Sequence, residues 1–120
     1  MIIPSSLLVA ALVNVALAAD CPSDQRPCVK FGTSCIFNLP GNHVTGVIGS
    51  YRPDCSGHCF QYDSFGSISA AGNGLYGTRC HVYSDVNCQN EILDTGNQVN
   101  NGDCHILSPS GKSMKCYYHC

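Results

Sequence analysis

Ten cysteines follow residue 19 of this 120-residue chain, and none precedes it. That density marks a scaffold in which covalent cross-links, rather than a large apolar interior, offset chain entropy. The 44% hydrophobic content overstates the core, because it counts the cysteines and an apolar leader. A multidomain enzyme, a cytosolic fold and a membrane-spanning protein are all excluded on these grounds.

The leader runs from Leu7 to Ala19 and is interrupted only by Asn14. It ends in Ala16-Leu17-Ala18-Ala19 before Asp20, the small-residue pattern that signal peptidase accepts. It is shorter than the roughly 20 apolar residues a spanning helix needs, so no transmembrane anchor is expected. Residues 1–19 therefore read as a signal peptide. Residues 20–120 read as one secreted, extracellular, disulfide-rich β domain.

Cys21, Cys28, Cys35, Cys55, Cys59, Cys80, Cys88, Cys104, Cys116 and Cys120 are expected to form five disulfides, with the pairing open. The rival is zinc at Cys55-x3-Cys59 and Cys116-x3-Cys120, near His58 and His119. Oxidation is favoured over it, because secreted thiols normally pair. No cofactor is expected.

The expected class is all-β. Helical periodicity is absent, and short β-branched or alternating runs are bounded by Gly, Asn, Asp and Pro. The expected strands are Cys28–Phe31, Ser34–Asn38, Val44–Ile48, Cys59–Tyr62, Ser67–Ala70, Cys80–Tyr83, Glu91–Asp94, His105–Leu107 and Ser113–Tyr118. Turns are expected at Asn38–Asn42, Tyr51–Asp54, Ala71–Gly74, Asn100–Asp103 and Ser108–Gly111. Phe31-Gly32-Thr33-Ser34-Cys35-Ile36 is similar to Tyr76-Gly77-Thr78-Arg79-Cys80-His81, and each half ends in a Cys-x3-Cys pair. That suggests two related β units sharing one core.

The stretch from Cys80 to Glu91 resembles the opening hairpin of a βγ-crystallin Greek key. Tyr83 fills the first aromatic position, Cys88 stands at the second, and Asn90 replaces the glycine. Ser113, and Ser67 in an earlier copy, resemble the serine such motifs carry near their last strand. The resemblance covers about residues 60–118 and implies a small, disulfide-rich Greek-key sandwich. Some members bind calcium. The nearest match, Tyr62 to Ser67, keeps only Asp63 and Ser67, too few oxygen ligands to favour a site. As a whole the chain is similar to small cysteine-rich proteins secreted by filamentous fungi, including effectors and killer toxins.

Four histidines adjoin a cysteine: His58, His81, His105 and His119. Neighbouring strand residues face opposite ways, so inward cysteines leave these four exposed. Histidine ordinarily protonates around pH 6.5, so the formal charge of −2 would turn positive in mild acid and favour anionic surfaces. His81, Glu91, Arg79 and His105 supply the residue types with which small secreted ribonucleases move protons and stabilise a phosphoryl transition state. Their order does not match that family. Six Lys/Arg against eight Asp/Glu leave no basic patch, so nucleic acid is not an expected partner.

Tyr117 and Tyr118 are adjacent, so on a strand one should face outward as a target contact. The expected role is a non-enzymatic effector or toxin-like protein. Its target would be an extracellular protein, or a wall or membrane component, of a host or competitor. The alternatives are an antimicrobial or antifungal protein acting on membranes or walls, a small ribonuclease-like hydrolase, and a wall-associated structural protein.

Overall fold

A computed structural model describes residues 26–37, 43–100 and 102–120. The leader, Cys21, the Asn38–Asn42 turn and Asn101 lie outside the described residues. Within them the fold is all-β, with strands β1 (Cys28–Ile36), β2 (His43–Tyr51), β3 (Phe60–Ala71), β4 (Thr78–Tyr83), β5 (Glu91–Asp94) and β6 (His105–Tyr118). They join one antiparallel sheet in the order β2-β1-β3-β6-β4-β5.

That order is symmetric about the β3–β6 pair. In each half the first strand is central, its hairpin partner lies outside it and the third strand lies inside. The two similar hexapeptides fall on corresponding strands, Phe31–Ile36 within β1 and Tyr76–His81 at the start of β4. The core draws on both halves. Val29, Phe31, Phe65, Ile68, Ala70, Cys80, Val82, Leu107, Met114 and Cys116 form one buried cluster, with Ile92 and Leu93 of β5 packed against it. Beside it, two buried hydroxyls are paired, while that of Ser67, also fully buried, has no hydrogen-bond partner among the described residues. The Ser69 hydroxyl donates to Gly102 O (3.0 Å) and the Thr78 hydroxyl to Ala71 O (2.9 Å).

Several expected breaks are absorbed as irregularities inside longer strands. Cys28–Phe31 and the start of the expected Ser34–Asn38 strand, as far as Ile36, merge into β1; Cys59–Tyr62, from Phe60 on, and Ser67–Ala70 merge into β3, and His105–Leu107 and Ser113–Tyr118 into β6. The Ser108–Gly111 turn becomes a bulge. Ser67 pairs with Ile106 and Phe65 with Gly111, so β6 loops outward there while β3 advances little. Bulges use the same Ser, Pro and Gly chemistry as turns, which is why the residues read as chain reversals.

Four disulfides are described: Cys35–Cys104, Cys55–Cys120, Cys59–Cys88 and Cys80–Cys116. Each Cys-x3-Cys pair is split between two different bridges, so these thiols serve as cross-links. Cys28 is buried and also disulfide-bonded.

The segment between β4 and β5 folds over the sheet. The Asp85 carboxylate accepts from the backbone N–H groups of Asn87 (3.0 Å), Gln89 (3.1 Å) and Asn90 (2.7 Å). These bonds, that from Asn90 first, hold its carboxyl below the usual carboxylate range. Cys88 takes a left-handed conformation (φ 55°) and is tied to Cys59, while Gln61 Nε2 donates to Val86 O (2.7 Å). Ser113, fully buried, accepts from Cys88 N (3.2 Å), and its hydroxyl donates to Asp85 O. Ser113→Ala is expected to cost about 1–3 kcal/mol, because it orphans a buried amide. It should also raise hydrogen exchange at the Cys88 amide. An unchanged urea midpoint and unchanged Cys88 protection would refute this role.

Candidate functional site

Beyond the folded-over segment, the outer face of β4, β5 and β6 is open. Alternation on β4 sends Thr78, Cys80 and Val82 to the core and Arg79 and His81 outward. Tyr117 pairs with Arg79 across β6, and Lys115 pairs with His81. On β5, Asp94 pairs with His81 and Leu93 with Val82, but Tyr83 pairs with Glu91. Ile92 is thus an extra residue in a bulge, so Ile92 and Leu93 both pack toward the core. The consequence is chemical. Glu91 and Asp94, three apart and normally on opposite faces, both join His81.

The Arg79 guanidinium grips Asp94 with two hydrogen bonds, one from Nε to Oδ1 at 2.9 Å. Gly96 N adds a third (2.9 Å). Arg79 first, then that amide, hold the Asp94 carboxyl well below the usual carboxylate range. His81 Nδ1 lies 3.1 Å from Glu91 Oε2. Tyr83, under the folded-over segment, has its hydroxyl pKa raised by burial and then by the Glu91 charge.

Arg79 and His81 line one side of a cavity of about 530 Å³. Its walls are Leu75, Tyr76, Asn97, Val99, Tyr117, His119 and Cys120. The 72–77 turn is shaped by the Asn73 side chain, which accepts from Leu75 N (2.9 Å) and Tyr76 N (2.8 Å). Tyr76 stacks on His119, with ring centroids 3.5 Å apart, and the Tyr117 ring meets His81 edge-on at 6.2 Å. Cys55–Cys120 anchors the wall that His119 belongs to.

The expected site residues divide clearly. Arg79, His81 and Glu91 converge, whereas His105 sits at the far end of β6 opposite Ile68. His58 and His119 are exposed as expected, but His81 and His105 are half-buried. The outer side of β4 is furnished by Glu91 and Tyr117, so facing away from Cys80 does not place His81 in open water. Tyr117 and Tyr118 are both half-buried. Tyr117 faces the cavity, and Tyr118 pairs with Thr78 in the neighbouring position. Asp63 is exposed on β3, while Ser67, on the same strand, is fully buried. Asp94 was not anticipated as a site residue. The adjacent apolar pair Ile92-Leu93, which breaks the alternation of β5, is the sequence signal that marks the bulge. Among the described residues no helix is long and apolar enough to cross a membrane. No protein-family model matches the chain, and neither does any curated protein or solved structure.

Proposed function

We propose that this is a secreted, non-enzymatic, cysteine-rich effector or toxin-like protein of the kind filamentous fungi release. It would recognise a target outside or on the surface of another cell through the outer face of β4–β6. One observation carries the reading: a concave, aromatic-walled face in which Arg79, His81 and Tyr117 stand on strands, Tyr76 on the turn braced by Asn73, and His119 beside the Cys55–Cys120 bridge. Such a surface binds without first paying to be ordered. A fifth bridge, made by Cys28, and a two-motif βγ-crystallin-like Greek-key sandwich belong to the same proposal. The symmetric strand order and the Ser113 contacts support the latter.

The test is capture from host extracellular fluid with the oxidised mature protein, alongside folded Tyr117→Ala and Arg79→Ala variants. A target held by the wild type and lost by both variants is the expected result. Capture indifferent to both, or none at all, overturns the reading. Growth inhibition of fungi or bacteria in the same preparation would point to the antimicrobial alternative.

The convergence of Arg79, His81 and Glu91 favours one second reading, a ribonuclease-like hydrolase in which Glu91 and His81 exchange a proton. Against it, Arg79 is already neutralised by Asp94. RNA degradation that His81→Ala abolishes would decide for catalysis.

A further inference from the structure

We infer that His81, Glu91 and Asp94 form a binding site for a divalent transition-metal ion of the zinc type, with an open coordination position facing the cavity. One ligand atom from each of the three lies within 4.8 Å of the others. Zinc takes nitrogen at about 2.0–2.1 Å and carboxylate oxygen at about 2.0–2.2 Å, so its ligand atoms stand roughly 3–4 Å apart. The 3.1 Å between His81 Nδ1 and Glu91 Oε2 is already close to that spacing.

The donor set suits the ion. One imidazole and two carboxylates match zinc and its neighbours, and they lack the many oxygen ligands that calcium takes. The two carboxylates attract a dication directly as its ligands, against the opposing charges of Arg79 on Asp94 and, across β6, of Lys115. Arg79 and Gly96 N take three of the roughly four lone-pair sites of the Asp94 carboxylate, leaving one on Oδ2. They act as the outer partners that orient a metal-bound carboxylate. The strands supply rigidity: His81 and Asp94 are direct cross-strand partners, and the Ile92 bulge brings Glu91 to the same face. Three protein ligands with an open fourth position are the arrangement through which a bound ion can reach an external ligand.

The inference does not depend on what the face recognises. Its test is calorimetric titration of the oxidised mature protein with ZnCl2, paired with NMR of the imidazole nitrogens. The expected result is one equivalent bound with a dissociation constant below about 100 µM. The His81 Nδ1 resonance should shift, and affinity should fall at least about tenfold in both His81→Ala and Glu91→Gln. Glu91 is exposed and outside the core, so Glu91→Gln keeps the test valid should an Asp94 variant misfold. His58→Ala should bind as the wild type does. No saturable binding, or binding that survives His81→Ala and Glu91→Gln, overturns the site. Target capture in metal-free buffer is unaffected by that failure, so the two readings fall separately.

Discussion

Replacing Cys80 and Cys116 together with alanine is expected to lower stability by about 2–5 kcal/mol and to abolish a cooperative thermal transition near body temperature. The two residues are direct partners across the β4–β6 ladder, with Cα atoms 4.0 Å apart, and both are buried, Cys80 completely. Their loss removes a cross-link and also leaves a cavity in the cluster shared by both halves. The loss is large beside the roughly 5–15 kcal/mol that holds a typical domain together. The Cys55→Ala/Cys120→Ala variant is the internal comparison, because both of its sulfurs sit at the exposed rim. It should keep the β-sheet circular dichroism and most of the urea midpoint. Equal midpoints for the two double variants would show that the sheet does not depend on its central bridge.

Phe65→Ala is the second large effect, at about 3–5 kcal/mol. Phe65 is 1% exposed and packs against Phe31 with ring centroids 5.4 Å apart. It also fills the space that β6 leaves as it bulges. A Cβ at Gly111 would stand 2.7 Å from the Phe65 ring and 2.9 Å from Val82. Gly111→Ala alone should therefore cost about 1–3 kcal/mol by overpacking. In the double variant the new methyl occupies part of the vacated volume, so the double loss should be smaller than the sum of the single losses. Simple additivity in urea denaturation would mean that the ring and the glycine are not in contact.

The strands were legible where local pattern and tertiary pairing agree. Glu91–Asp94 is β5 as expected, and Cys80–Tyr83 lies within β4. Where β6 passes Ser108–Gly111, local chemistry signalled a turn and the ladder resumed beyond it. Pairing between distant strands supplies hydrogen bonds that no short window contains. The site divides in the same way. Arg79, His81 and Glu91 were recognisable as reactive residue types, and Tyr117 as a contact. Their meeting depends on the single extra residue Ile92, which moves Glu91 to the face of His81 and Asp94. Spacing alone could not reveal the Arg79–Asp94 ion pair, because it joins strands across a connection that folds back on itself. His105 has the same chemistry as His81 and a similar place beside a cysteine, yet strand register sends it to the other end of the sheet.

The described bridges are unequal in reach. Of the four, only Cys55–Cys120 has both cysteines exposed, and it secures the wall where His119 stacks on Tyr76. A small thiolate such as glutathione therefore attacks there first, since exchange requires in-line access to sulfur. Passage into a reducing compartment would blunt the molecule's grip while its shape survived, a graded disarming in place of collapse.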